Sequence, residues 1–560
     1  PGLNELSLPF EIFYNSLESE KGSLGRKWRH SFEISISKFL DRLILTLWDG
    51  KRITYHFVDG IYKAESGIGR INFPKIEPIL NGYKLYQKSA FFWYFDFQGK
   101  LIKVEDISGN TWILVYEGGK LLKVKDPVGR EMSFEYNPQG FISKVGHYGE
   151  MFYEFSYKDD MLSSIKDPLG NFSYYFYDDF GRLVEKVDFS GNHFKFEYNK
   201  EGRVVLSRDP NGGTTSITYD ETLTKATVTD KRGFRTIFTF DPKLNVNLEV
   251  KGPSGEHFLG KYDDNGNIVK MSLKVGLDYA TTTFSYDENN NLIQIVDPLG
   301  FKTLFSYTAF DMVASMTDPA GRTWDIEYDK RGNIVLVVDP AGNKWKMKYN
   351  NFGLLTEMID ALGNKTKFSY DEFGNLSSVK DPLGNVTRYG YSPVGTLLYI
   401  QNPLGEMWTF TYDDLGRLIE DSDPYGGIRR MGYDAMGNLV SMTDPEENTT
   451  LFFYDFDGNL TASIDPLGNT RFMEYDAEGN LVKEVDPLGN VTIYEYDPSG
   501  RLIKTVLPTG GEIKLFYDFN WNVTGSIDQN GLITLYHYDA SGRQVSKVVN
   551  GVETKYFYDS

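Results

Sequence analysis

The 560-residue chain has no cysteine, which excludes a disulfide framework, a thiol nucleophile and any thiolate metal site. It has few histidines. His30, His56, His147, His193, His257 and His537 are scattered, and no two stand at the three-to-five spacing of a metal-binding pair. No stretch approaches the ~20 apolar residues that a membrane-spanning helix needs. Positive charge is short: 59 Lys and Arg against 78 Asp and Glu give a net charge of -19. That balance argues against nucleic acid or an anionic membrane as the main partner. Neither a Gly-x-Ser-x-Gly elbow nor a Gly-x-x-x-x-Gly-Lys-[Ser/Thr] phosphate loop occurs. The start, Pro1-Gly2-Leu3-Asn4, shows neither an initiator Met nor a signal peptide, and the end at Tyr558-Asp559-Ser560 falls inside a repeat. The expectation is a piece of a longer product. No cofactor, metal or catalytic residue is expected, and the chain is read as no enzyme.

What is abundant is glycine and single-ring aromatics: 55 Gly, 38 Tyr and 39 Phe. So aromatic a chain is not disordered. The aromatics are also periodic. Tyrosines stand at 286, 307, 328, 349, 370, 391, 412, 433, 454, 475, 496, 517 and 538, always 21 apart. A second series in the same phase runs Asp297, Asp318, Asp339, Asp360, Asp381, Asn402, Asp423, Asp444, Asp465 and Asp486. Looser copies reach upstream through Tyr262, Phe240, Tyr219, Tyr198, Tyr177, Tyr157, Tyr136 and Tyr116 to a degenerate first copy, Phe95-Asp96-Phe97-Gln98-Gly99-Lys100-Leu101. Two regions follow: 1–90, a β-rich opening segment or cap, and 91–560, an array of about 22 repeats, regular from 286.

Each unit carries two turn signals about ten residues apart. In Asp-Pro-x-Gly, Asp accepts from nearby backbone N–H groups, Pro presets φ and Gly takes the left-handed position. The clearest copies are Asp297-Pro298-Leu299-Gly300, Asp381-Pro382-Leu383-Gly384, Asp465-Pro466-Leu467-Gly468 and Asp486-Pro487-Leu488-Gly489. In Tyr-Asp-x-x-Gly, Asp and Gly do the same work, as in Tyr370-Asp371-Glu372-Phe373-Gly374. Two residues before the Tyr there often stands a large apolar residue, such as Phe368, Phe410 or Phe452, which gives strand alternation. The unit is therefore two short antiparallel strands and the chain all-β, with no helical domain. Three architectures accommodate it: a coiled continuous sheet, a propeller of about ten blades against the usual 4–8, or a parallel β-helix. The coiled sheet is preferred, because neighbouring units are alike and both turns look like hairpin reversals. About 44 strands at ~4.8 Å make a ribbon on the order of 200 Å wide, about 65 Å across if it closed in a single turn.

The unit Tyr-Asp-x-x-Gly-[Arg/Asn]-Leu, seen at 177–183, 412–418 and 496–502, resembles the YD-repeat of Rhs proteins, Tc-toxin shell components and teneurins. Leu8-Pro9-Phe10, Tyr14-Asn15-Ser16 and Gly22-Ser23-Leu24-Gly25-Arg26-Lys27-Trp28-Arg29-His30 resemble the opening of an Rhs core. The resemblance implies a hollow β-shell that, in bacterial members, encloses a C-terminal toxin before delivery. Self-cleavage and toxicity do not carry over, because no segment matching the family's junction follows the repeats. Without cysteine this piece holds no epidermal-growth-factor-like module. The expected function is a structural shell around a C-terminal toxin or effector cargo, secreted or on a bacterial cell surface. The expected partners are that cargo and the secretion apparatus, with no nucleic acid and no membrane insertion. The alternative is a surface adhesin or repeat scaffold that binds glycans.

Within either reading the notable residues are structural. The Asp, Pro and Gly of the four turns above set strand length. Tyr370, Tyr412, Tyr433, Tyr454, Tyr475 and Tyr496 set packing, in preference to a sugar-stacking ladder. Tyr454-Asp455-Phe456-Asp457-Gly458-Asn459 resembles half a calcium loop, but Phe453 occupies its first position. Trp28, Trp48, Trp93 and Trp112 are expected in the core.

Overall fold

The computed structural model describes residues 9–65, 73, 75–88, 91–147 and 151–558; Leu8 of the opening motif and Asp559-Ser560 lie outside the described residues. Each 21-residue unit forms two strands joined by its own two turns. In one unit Lys365–Tyr370 pairs with Leu376–Lys380 across the Tyr-Asp turn, and that strand pairs with Val386–Tyr391 across the Asp-Pro turn. The pattern repeats without crossover. Fifty-one strands, from Ser35–Phe39 to Val552–Lys555, form one antiparallel meander, and among the described residues there is no helix. Of these strands 45 begin at or after Phe91, beside the 44 expected. A propeller would break this ladder between blades, and a parallel β-helix would not be antiparallel at all.

The ladder is interrupted in one regular way. Register shifts at every tyrosine of the regular series, between Ser369 and Tyr370, Thr411 and Tyr412, Gly432 and Tyr433, and so on to His537 and Tyr538, while Tyr219 upstream pairs without a shift. Each shift is a β-bulge, which bends its strand and raises the local twist. A bulge in nearly every unit makes the sheet curl instead of lying flat.

The curl is tightest at the start. The first eight strands of the meander, Ser35–Phe39 through Leu101–Asp106, close on themselves: Ser35 bridges Lys100, and the Ile36 N–H donates to the Gly99 carbonyl at 2.9 Å. Eight strands leave an interior that side chains just fill. Leu43, Leu45, Tyr55, Ile76, Leu85, Phe95 and Leu101 fill it, and the Tyr55 hydroxyl donates to the Phe73 carbonyl at 2.8 Å. Closure needs glycine at 99. Its φ is +79°, and a Cβ there would lie 1.7 Å from the Ile36 carbonyl oxygen.

The segment before the ring lies on the sheet face that carries the repeat tyrosines. Ile12–Tyr14 pairs with Trp28–His30. Phe10 packs edge-on against Phe134, and Trp28 against Tyr175. The Trp28 indole N–H donates to the Tyr177 hydroxyl at 2.8 Å, and the Leu183 N–H donates to the Tyr14 hydroxyl at 2.7 Å. Burial pushes the Tyr14 hydroxyl pKa up and the His30 imidazole pKa down.

Beyond the ring the sheet winds on as a wider coil. Groups 242 to 247 residues apart meet: Asn110 with Phe352, Lys231 with Glu478, Arg232 with Asp476, Glu256 with Ser499, and Asp297 with Ser541. At 21 residues per unit, 244 residues are between eleven and twelve units, or about 23 strands. A circuit is then about 110 Å around and about 35 Å across. The ribbon is wound into successive circuits, which is why it is narrower than the 65 Å of a single closed turn.

Candidate functional site

The coil has two rims, one made of Tyr-Asp turns and the other of Asp-Pro turns. At the Asp-Pro rim each Asp cradles its turn. Asp381 Oδ1 accepts from the N–H groups of Leu383 and Asn385, both at 2.9 Å, and Oδ2 accepts from the Asn385 side chain at 2.7 Å. Asp465 and Asp486 repeat this set with Leu467 and Asn469, and with Leu488 and Asn490. Asp297 accepts from Leu299 and Phe301, and its second oxygen takes the Ser541 hydroxyl from the next circuit at 2.7 Å. Gly300, Gly384, Gly468 and Gly489 have φ of +83° to +95°. Pro298, Pro382, Pro466 and Pro487 occupy the second position of their turns. The side-chain hydrogen bond from Asn385 holds the Asp381 carboxyl below its ordinary range, and Asn469 and Asn490 act likewise on Asp465 and Asp486.

At the Tyr-Asp rim the tyrosines tie each unit to the one before. Tyr370, Tyr433, Tyr475 and Tyr496 donate to the carbonyls of Leu355, Leu418, Leu460 and Leu481 at 2.7–2.9 Å, in each case 15 residues back. Tyr412 and Tyr454 sit opposite Leu418 and Leu460 in the same register. Burial raises the hydroxyl pKa of Tyr412, Tyr454, Tyr475 and Tyr496. The Arg variant of the motif reaches further than Asn. Arg417 Nε pairs with Asp413 Oδ2 at 2.7 Å, while its Nη1 donates to the Asp434 carbonyl of the following unit at 2.8 Å. Arg501 makes the same two contacts to Asp497 and Asp518.

The seam between circuits joins unlike rims, and the sequence pattern did not reveal it. Asp-Pro-type turns of the inner circuit meet Tyr-Asp turns of the outer one. Arg232 spans two of the latter, contacting Asp476 Oδ2 at 3.4 Å and the Pro498 carbonyl at 2.8 Å. The turn at 106–110 also touches two, through Ser108 to the Arg331 carbonyl and Asn110 to the Phe352 carbonyl. Lys231 pairs with Asp457 and Glu256 with Arg501. A cleft of about 460 Å³ opens on this seam beside Arg232, Glu256, His257 and Trp521. Part of the seam carries a signal, departure from the repeat: Asp230-Lys231-Arg232-Gly233 and Gly252-Pro253-Ser254-Gly255 stand where other units have Asp-Pro-Leu-Gly, whereas the seam turn at 297–300 is a regular copy.

The half calcium loop is an ordinary turn here: Asp455 Oδ1 accepts the N–H groups of Asp457 and Asn459. Among the described residues no cluster of His, Asp and Glu fits a metal ion. The histidines are apart: His30 is in the core, His193 pairs with Glu185, and His257 lies between Glu249 and Tyr279. Trp28 and Trp112 are buried, and Trp93 donates to Gln87.

This geometry agrees with what the chain matches. The RHS repeat family matches residues 286–323, 328–365 and 370–399, and the teneurin YD-shell family matches 385–558. Between residues 286 and 558 the chain carries RHS-type YD repeats. A domain family of unknown function matches residues 1–55 of this YD-repeat chain. Among curated proteins no relative matches. Among solved structures, the crystal structure of TcdB2-TccC3 aligns at a TM-score of 0.52 and 13% identity, covering 84% of this chain and 33% of that one. TcdB2-TccC3-Cdc42 aligns at 0.51 and 11%, covering 93% and 37%. The Photorhabdus luminescens Tc holotoxin pore, with the TccC3 mutation D651A, aligns at 0.41 and 14%, covering 93% and 32%. The YD-repeat chain thus spans about a third of the length of the structures it matches, and it shares their all-β coiled fold.

Proposed function

We infer that the chain is the wall of a shell that isolates a polypeptide cargo, a toxin or effector, from its surroundings. The observation that carries this reading is the pairing of unlike rims. A sheet edge normally invites other strands; here the strands run continuously around the coil and the strand ends seal against the next circuit. On this reading residues 1–90 cap one end, 91–560 form the wall, and the Asp-Pro-x-Gly turns and repeat tyrosines are structural. The mechanism is exclusion by a hydrogen-bonded wall, with no chemical step. Delivery outside a bacterial cell, with a secretion apparatus as partner, fits the same reading. The glycan-binding alternative has less support, because the tyrosine hydroxyls that would greet a sugar already serve backbone carbonyls.

Small-angle scattering and protease protection test it together. A filled globule of 560 residues has a radius of gyration of about 24 Å. A larger radius with a centre-depleted distance distribution is expected. An unstructured reporter fused after Ser560 should survive a protease that digests it when free. A filled profile, or a reporter cut at its free rate, removes the shell.

A further inference from the structure

On the outer sheet face, the one opposite the repeat tyrosines, charges in the later units are paired. Lys483 pairs with Glu474 at 2.7 Å, Lys504 with Glu495 and Glu512 at 3.1 and 2.8 Å, and Arg430 with Glu420 at 3.1 Å. One stretch departs from this. Strands Lys344–Tyr349 and Lys365–Tyr370 turn Trp345, Met347 and Phe368 to the lumen, so Lys344, Lys346, Lys348, Lys365 and Lys367 stand outside. Lys380 lies directly opposite Lys367, and Arg388 follows on the next strand. All of these cations are exposed. One carboxylate stands among them, Glu357, opposite both Lys348 and Lys367. It pairs with Lys348 at 2.8 Å; that hydrogen bond and the charges of Lys365 and Lys367 hold its carboxyl below the ordinary range. Among the described residues Lys344, Lys346, Lys365, Lys367, Lys380 and Arg388 have no carboxylate within ion-pair distance. Asp325 and Glu327 border the stretch, two strands from Lys344 and Lys346. The patch crosses five strands and so is about 20 Å wide. Like charges set directly opposite, as Lys367 and Lys380 are, cost a sheet stability.

We propose that this patch of the outer wall, from Lys344 to Arg388, docks an acidic polypeptide segment of a partner protein. Charge complementarity selects an anion, and three features choose the kind. The rim turns beside the patch carry Asp339, Asp360 and Asp381, and the chain as a whole has a net charge of -19. A broad anionic surface such as a membrane meets that negative charge as well as the lysines, whereas a narrow segment meets the lysines alone. The outer-face neighbours are Leu336, Val338, Ile359 and Val386, with no aromatic ring on which a nucleic-acid base could stack. Six of the seven cations are lysines, point charges that suit carboxylates, where phosphate recognition favours the bidentate arginine fork. The patch lies outside the wall and is independent of what the lumen holds.

Fluorescence anisotropy of a dye-labelled octaglutamate peptide tests the patch on the intact chain. The peptide should bind at about 50 mM salt and lose at least about tenfold in affinity at about 500 mM. The joint change Lys344→Gln, Lys346→Gln, Lys365→Gln and Lys367→Gln should weaken low-salt binding at least about tenfold. Removing four cations elsewhere on the outer face, by Arg430→Gln, Lys483→Gln, Lys504→Gln and Lys514→Gln, should change it less than about twofold, which separates the patch from overall charge. Both variants should keep the β-sheet circular dichroism of the parent, since none of the replaced side chains is buried. Equal weakening by the two sets would overturn the proposal, and so would the absence of peptide binding at low salt. So would tighter binding, through the same four lysines, to phosphatidylserine vesicles or to an oligothymidylate. Self-association of the parent chain in sedimentation, abolished by those four substitutions, would instead give the patch to a second copy and overturn it too.

Discussion

The first third of the molecule and the remainder share one repeat but differ in what holds them. Every buried apolar side chain among the described residues lies between Leu24 and Val187. After that point the tyrosine-bearing face still carries Phe305, Trp324, Trp345, Met347, Phe368 and Trp408, but each is only half-buried. The repeat is the same; the difference is what lies opposite. Early strands face each other across a closed ring or face the segment around Phe10, Trp28 and Phe32, so their apolar groups leave water. Later strands face only the lumen. Their order must come from ladder hydrogen bonds, turn cradles and the seam. One local code therefore supports a conventional core at one end and a one-layer wall at the other.

The contrast can be broken most forcefully from the core side. Trp112→Ala should cost about 3–5 kcal/mol in urea unfolding, and Gly99→Val should open the ring because its Cβ meets the Ile36 carbonyl. Either change should raise hydrogen exchange throughout 35–106 and leave the units after 300 protected. Equal loss in both regions would mean the wall depends on the core after all. In the wall, Gly384→Val forces a β-branched residue to a φ of +95° and should cost about 1–3 kcal/mol, confined by hydrogen exchange to its own unit and the two beside it. Tyr433→Phe removes one hydrogen bond to the Leu418 carbonyl and should cost about 0.5–1.5 kcal/mol, read as faster exchange at 418–433.

Acid sharpens the same comparison. The carboxyls of Asp339, Asp360, Asp381, Asp444, Asp465 and Asp486 are held below their ordinary range, chiefly by Asn side-chain hydrogen bonds, and Asp220 and Glu512 are pulled down to about 2. A carboxyl with a depressed folded pKa stabilises the fold above its unfolded pKa. That stability is lost as pH falls through the folded value. Wall protection should hold at pH 5 and fade between about pH 4 and pH 2, while the apolar ring persists longer. Exchange profiles at stepped pH that collapse together would show the two regions to be one cooperative unit. The smallest expected effect is Leu383→Ser, within about 0.5 kcal/mol, since that side chain touches little.

How much of this the sequence disclosed follows from range. Contacts within a unit or between neighbours repeat every 21 residues, so the strands, both turns and the tyrosine spacing could be read directly from positions such as Tyr370 and Asp381. The ring could not, because it is closed by Ser35 and Ile36, which lie outside the array, against Gly99 and Lys100 of its first copy. Gly99 lies in the copy judged degenerate, and its irregular surroundings are the closure. The seam was hidden for a related reason: its contacts join unlike turns 223 to 266 residues apart, so they do not follow the 21-residue series. Lys231, Arg232 and Glu256 look like noise in the repeat until the outer circuit is placed against them.

The half-unit offset between the two kinds of turn also governs how the wall would fail. Arg232 reaches two successive turns of the adjoining circuit, and so does the turn at 106–110. Courses are therefore laid in running bond, each block straddling the joint between two in the neighbouring course. A crack that parts one pair of strands meets an intact block in the adjoining course, so a tear along the strand direction cannot travel straight through the masonry. A circuit one strand longer or shorter would set turn against turn, stack the joints and give the shell a ready-made line of rupture.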